Sequence, residues 1–229
     1  MTRRARTLWI RGVVATATTL AALTGVIGYA HTPGGRFLLG YLPGAGACPV
    51  GPASPEQVDR ARARGLQRVR GAELASARPA LGFDLQRMQR ADVEAWATRH
   101  QVRCEAASAL TTTCAAVPAR ALAGATHDVD QLHLTHDASG ALVGVEAMRR
   151  SLDFGEAVAL VDERLEALNR ATGGRAERSG STTGEHLGGG VARRARGELR
   201  FADFRAVVTA MNQGGATPVV RERYQSIPN

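Results

Sequence analysis

An uncharged run of nineteen residues, 12–30 (Gly-Val-Val-Ala-Thr-Ala-Thr-Thr-Leu-Ala-Ala-Leu-Thr-Gly-Val-Ile-Gly-Tyr-Ala), constrains this chain more than any other stretch. At about 1.5 Å rise per residue it makes roughly 28 Å of helix, close to the ~30 Å hydrocarbon core of a bilayer. The arm before it carries Arg3, Arg4, Arg6 and Arg11 and no acid. Such an arm stays on the cytoplasmic side, so the chain after residue 30 is expected to be exported. The expectation is a single-pass inner-membrane protein, with a basic cytoplasmic arm at 1–11, an anchor at 12–30 and an extracytoplasmic (periplasmic) C-terminal domain. The run is longer than the apolar core of about 7–15 residues in a secretory signal. Gly28-Tyr29-Ala30 has the small-x-small form of a cleavage site, so secretion after cleavage near Ala30 is the alternative. Cys48 follows Ala45-Gly46-Ala47, with no Leu three residues before it, which does not fit a lipoprotein signal.

The hydrophobic fraction of 44% and the charged fraction of 22% are those of a folded chain. A net charge of +8 and a pI near 10.7 raise the question of nucleic acid. The four arginines of the arm supply half of that charge, and the rest is interspersed with acids. Only Arg193-Arg194-Ala195-Arg196 is dense, and 4% aromatics leave little on which bases could stack. No nucleic-acid partner is expected. The expected partners are the membrane, through the N-terminal helix, and another envelope protein.

Of the three cysteines, Cys104 and Cys114 fall in two neighbouring strand-like runs, 101–107 and 110–118. In an oxidising compartment a hairpin would set them opposite each other as a disulfide, worth roughly 2–3 kcal/mol in the chain-entropy account. Cys48 is left over, as a free thiol or an intermolecular partner. A metal site would need a Cys-x-x-Cys or a second ligand pair, and the chain has neither.

Residues 31–53 are rich in Gly and Pro and read as a linker. Ser54-Pro55-Glu56-Gln57 starts a helix that runs to about Gly71, with Val58, Ala61, Gly65, Val69 and Ala72 on one face. Residues 80–85 read as a short extended run, and 90–100 as a helix carrying Val93, Trp96, Ala97 and His100 on one face. A hairpin follows, in which Leu132 and Leu134 alternate with polar residues, Asp137-Ala-Ser-Gly140 turns, and Val143 and Val145 return. Asp153-Phe-Gly-Glu156 opens the strongest helix, whose stripe of Phe154, Ala157, Val158, Val161, Leu165 and Leu168 ends at Gly173-Gly174. Strands are expected at 175–181, 191–204, 205–212 and 218–227, with Val220, Glu222 and Tyr224 sharing a face. Strands grouped after helices and joined by hairpins indicate an α+β fold of antiparallel sheet packed by a few helices. Two related helix-plus-sheet units, 54–150 and 151–229, are one way to divide it, and a single domain over 54–229 is the other.

Met88-Gln-Arg-Ala-Asp-Val-Glu-Ala-Trp96, followed by the strands of Cys104 and Cys114, resembles the small bacterial envelope domains of the outer-membrane-assembly lipoprotein and β-lactamase-inhibitor type. The resemblance covers residues 84–118. It implies a helix packed across an antiparallel sheet, and protein binding through a sheet face without catalysis. The family's lipidated cysteine at the mature N-terminus has no counterpart here.

His127, Asp128, Asp130, His133 and His136 are the one dense group of metal-ligand or general-base residue types. On a strand, His133 and His136 point to opposite faces, whereas His127 and His133 can share one and a third ligand would have to come from elsewhere. The group is read as solvent-facing hairpin residues, with His127, Asp130 and His133 as the candidates for the alternative, a metal or acid–base site. Gly184-Glu-His-Leu-Gly-Gly-Gly190 has the composition of a phosphate cradle without its Gly-Lys-Ser/Thr ending, and is read as a hairpin turn. There is neither a Gly-x-Ser-x-Gly elbow nor a His-Glu-x-x-His, so no catalytic or cofactor-binding residue is assigned, and no cofactor is expected. The functional expectation is a non-enzymatic, protein-binding or envelope-accessory domain. Its rivals are an exported small-molecule or lipid-binding domain, with a pocket beneath the 154–168 helix, and an exported hydrolase built on a convergence of His127, Asp130 and His133.

Overall fold

Ser54 caps the helix that opens the continuous stretch of the computed structural model, which describes Tyr29 and residues 53–228. The arm, all of the expected anchor but Tyr29, and nearly all of the linker lie outside the described residues, as does Cys48. Among the described residues no helix is long and apolar enough to cross a membrane. Helix α1 spans Pro55–Gln67, closed by the expected capping box between Ser54 and Gln57. It stops short of Gly71, because the chain there leaves the helix to bond the 201–203 turn: Gly71 N–H donates to Phe201 O at 2.9 Å. The expected stripe is not its buried face. Val58 is exposed, and Leu66 is the residue of α1 that packs inward.

Residues 80–85 turn instead of extending, with Leu81 and Gly82 both at positive φ. Helix α2, Arg90–His100, buries Val93, Trp96 and Ala97 and lies against the strand that follows it, Arg103–Ser108. The Trp96 indole donates to Ala121 O at 3.2 Å and meets Phe83 edge-on, so this amphipathic residue satisfies its one polar group inside the core. Strands β1 (Arg103–Ser108), β2 (Thr111–Val117), β3 (Val129–His136) and β4 (Leu142–Arg149) follow as a meander. Cys104 and Cys114 stand directly opposite in register and form a disulfide.

Helix α3, Phe154–Thr172, is the main covering element. Asp153 and Glu156 complete its capping box, and Gly173, at φ 71°, ends it in the left-handed conformation that glycine adopts most readily. Its inward face holds Ala157, Val158, Leu160, Val161, Leu165 and Leu168, each large aliphatic contributing roughly 1.5–3 kcal/mol on burial. Strand β5 (Glu177–Gly180), the short helix α4 (Gly184–Gly188), and strands β6 (Arg194–Arg200), β7 (Phe204–Met211) and β8 (Val219–Ser226) complete the chain. The Gly-rich stretch expected as a plain turn thus contains one helical turn, capped by Thr183 and seated by the buried Leu187.

All eight strands form one antiparallel sheet in the order β1-β2-β3-β4-β8-β7-β6-β5. The fold is therefore mixed α+β. Each half is a meander of four consecutive strands, and the halves meet where β4 pairs with β8, Val145 opposite Tyr224 and Ala147 opposite Glu222. Residues from Ser54 onward make one compact unit. Alternation sorts β6–β8 cleanly. Ala195, Leu199, Phe204, Ala206, Val208, Ala210 and Val220 face α3 and are buried, while Arg196, Arg205, Val207, Thr209, Met211, Arg221 and Arg223 face outward.

Candidate functional site

The candidates read from the sequence do not converge. His127 precedes β3, its ring bonded to Thr126 Oγ1 at 3.0 Å and its carbonyl accepting from Arg149 Nε. The Asp130 carboxylate accepts from the Arg150 amide at 2.6 Å. His133 lies on the outer face, with Nδ1 3.0 Å from Thr113 Oγ1 on the neighbouring strand. His127 lies two residues before β3 begins, whereas His133 is its fifth residue. Among the described residues no three His, Cys, Asp or Glu side chains gather as a metal site. His136 is on the opposite face and fully buried, and neither ring nitrogen finds a partner. Burial is the main cause that holds its pKa below the ordinary value, with the nearby Arg90 adding to it.

Beneath α3, where one reading of the sequence places a lipid pocket, the helix packs directly on the sheet at Leu165. Leu165 lies so close over β6 that a Cβ on Gly197 would stand 2.2 Å from its Cδ1, and only glycine permits that approach. Beside it, at the β4–β8 seam, sits a buried ionic cluster with no sequence signature beyond the shared face of Val220, Glu222 and Tyr224. Arg149 Nη1 donates to Glu222 Oε1, the Tyr224 hydroxyl donates to Glu222 Oε2 at 2.5 Å, and Arg164 Nε stands 3.3 Å from that same oxygen. Burial and the Glu222 charge keep the Tyr224 phenol protonated well above its usual range. The two guanidiniums also clamp the β2–β3 connection through the carbonyls of His127 and Gly124. The cluster is closed to solvent, and within it Arg149 Nη2 and Arg164 Nη2 find no hydrogen-bond partner.

The outer face carries the unassigned chemistry. In register, one row runs Glu105, Thr113, His133, Glu146, Arg223, Val207, Glu198 and Glu177 from edge to edge. Its β1–β4 half mixes threonines, Thr111, Thr113 and Thr135, with Glu105, His133 and Glu146. Its β5–β8 half is dominated by arginine, organised by two glutamates. Glu146 receives Arg221 Nε at 2.9 Å and Arg223 Nε at 2.6 Å. Glu198 receives Arg196 at 2.6 Å, Arg200 at 2.9 Å and Arg205 at 2.8 Å. Those hydrogen bonds, that of Arg200 first, hold its carboxyl pKa down at about 2 against the cost of burial. An open groove of about 340 Å3 lies between these networks. A second, of about 460 Å3, runs between α2 and β1 beside Cys104.

Sequence reading missed the outer face because it weighed charge by clustering along the chain. The signal was present as Arg194/Arg196 and Arg221/Arg223, arginines two residues apart in strand segments, which places each pair on one face.

Fold and site together define an α+β domain on a single antiparallel sheet, with one helix-covered face and one outer face that is arginine-rich in half its width. Compared with protein-family models, with curated proteins and with solved structures, the chain matches none.

Proposed function

We propose that this chain is a single-pass inner-membrane protein, anchored by residues 12–30, whose extracytoplasmic domain binds another envelope protein and catalyses no reaction. The observation that carries this reading is the outer face of β6–β8. Val207, Met211 and Val219, partly exposed and apolar, lie there beside the half-buried Arg196, Arg205 and Arg223, and methionine and arginine are among the residue types enriched where proteins bind each other. The Cys104–Cys114 disulfide agrees with an oxidising compartment. The resemblance of residues 84–118 to envelope domains that bind proteins through a sheet face points the same way.

Two measurements test it. The first is the intact mass of the protein from its native membrane fraction, alkylated without reduction. Full-length mass with one alkylated thiol, at Cys48, supports the anchor and the export. Loss of residues 1–30 makes it a secreted protein, and three alkylated thiols remove the argument for export. The second is photo-crosslinking in intact cells from outer-face positions Thr113 and Thr209. Absence of a discrete adduct from both positions overturns the protein-binding reading.

A further inference from the structure

Along β7 the outer face forms a trough. Its floor is Val207, Thr209 and Met211, and its walls are Arg194 and Arg196 of β6 and Arg221 and Arg223 of β8. Adjacent strands lie ~4.8 Å apart, so the walls stand roughly 10 Å from each other. They are in register: Arg196 is opposite Thr209, and Thr209 opposite Arg221. Within each wall the arginines are two residues apart, roughly 7 Å along the strand. No carboxylate is among the residues that line the trough.

These arginines are held in place without being neutralised. Arg221 and Arg223 each use Nε on the one Glu146 carboxylate, and Arg196 shares Glu198 with two further guanidiniums. Arg194 pairs with no carboxylate among the described residues. A guanidinium pinned along one edge keeps its remaining N–H groups for a second acceptor and has less rotamer freedom left to lose.

We propose that this trough docks an extended, carboxylate-rich segment of a partner protein. The proposal rests on the protein-binding reading above and names the chemistry of the partner. An extended chain points successive side chains to opposite sides and advances ~3.3 Å per residue, so acidic side chains on either side meet the arginines of each wall at their own ~7 Å repeat. About six residues of such a chain cover the length of β7 from Arg205 to Met211. The protein's own N-terminal stretch does not supply the charge, since its first acidic residue is Glu56. The outward positions of β6–β8 hold no aromatic side chain, so nucleobases find nothing to stack on. Arg196, Arg205 and Arg223 are half-buried in the trough, where a narrow extended segment reaches them.

The test uses the full chain in a non-ionic detergent and a fluorescent eight-residue peptide, (Asp-Glu)4, read by anisotropy. The expected result is saturable binding that falls steeply with salt and weakens about tenfold or more in R194Q/R221Q. R103Q, on the outer face of β1, leaves it unchanged. The amide peptide (Asn-Gln)4 does not bind. Equal binding of the amide peptide, or an equal loss in R103Q, overturns the proposal. So does trough-dependent binding to phosphatidylglycerol vesicles without peptide binding, which assigns the arginines to a membrane. Self-association lost in R194Q/R221Q, again without peptide binding, assigns them to a second copy and also overturns it. Should that variant unfold, crosslinking from Thr209 in the otherwise native chain decides. A partner captured at Thr113 and never at Thr209 leaves the protein-binding reading standing and overturns the trough, whereas capture at neither removes both.

Discussion

Arg149 and Glu222 face each other across the β4–β8 seam as an ion pair in which neither side chain has any solvent exposure. The carboxylate also takes the Tyr224 hydroxyl and stands beside the half-aligned Arg164, so one acid answers two buried guanidiniums. Removing the acid strands both cations, and removing Arg149 leaves Glu222 with two partners. Glu222→Leu should therefore destabilise by about 3–5 kcal/mol, and Arg149→Met by less, about 1–3 kcal/mol. Urea unfolding of the two variants checks the order. An Arg149→Met cost equal to or above that of Glu222→Leu would contradict the role given to the carboxylate.

Glu198 makes stability depend on acid. Its pKa is about 2 in the folded chain against an ordinary 4.5, so the folded state favours the carboxylate. That contribution is present above pH 4.5 and is lost as pH falls from there toward 2. Arg200 is 45% exposed, which screens the network, so the contribution is put at about 1–2 kcal/mol. Glu198→Gln should lower the melting temperature at pH 7 and converge with the parent near pH 2. Parallel melting curves across that range would rule the network out as a source of stability.

His136 acts in a higher window. Its ring is buried without a partner, and burial and Arg90 lower its pKa, opposed by Asp137 and Glu94. The folded state thus prefers the neutral ring. Its contribution is present above the ordinary pKa of 6.5 and declines as pH falls below it. His136→Leu, which removes two unsatisfied nitrogens from an apolar site, is expected to flatten the stability profile between pH 7 and 5. Unchanged acid sensitivity in that variant would assign the effect elsewhere.

Gly197 and Leu165 test the seating of α3. A methyl group at Gly197 enters the space of the Leu165 side chain, so Gly197→Ala should cost about 1–3 kcal/mol by overpacking. Leu165→Ala opens a cavity and is costly by itself, but the double variant should lose less than the sum of the two single losses, because the smaller side chain vacates the clash. The double-mutant cycle is the measurement, and strict additivity would show that the two positions do not press on each other.

Much of the architecture was legible in one dimension because it rests on local rules. The caps at Ser54 and Asp153, the stop at Gly173, the turn at Asp137 and Gly140 and the alternation in β3, β4, β7 and β8 are all decided within a few residues. The Cys104–Cys114 pairing was legible for the same reason, since a short hairpin leaves little choice of register. Where local signals were thin the boundaries moved: α1 ended early, and 80–85 turned instead of extending.

The sequence by itself determined an α+β chain, its helices, most of its strands and one disulfide, because capping, periodicity and short-range closure act between near neighbours. Only the tertiary structure decided that β4 pairs with β8 to make a single sheet, that Glu222 is shared by Arg149 and Arg164, and that arginines on β6 and β8 face each other across β7. Those relationships join residues that lie far apart along the chain. They follow from strand pairing and from burying one face of the sheet under α3, and no local pattern encodes either.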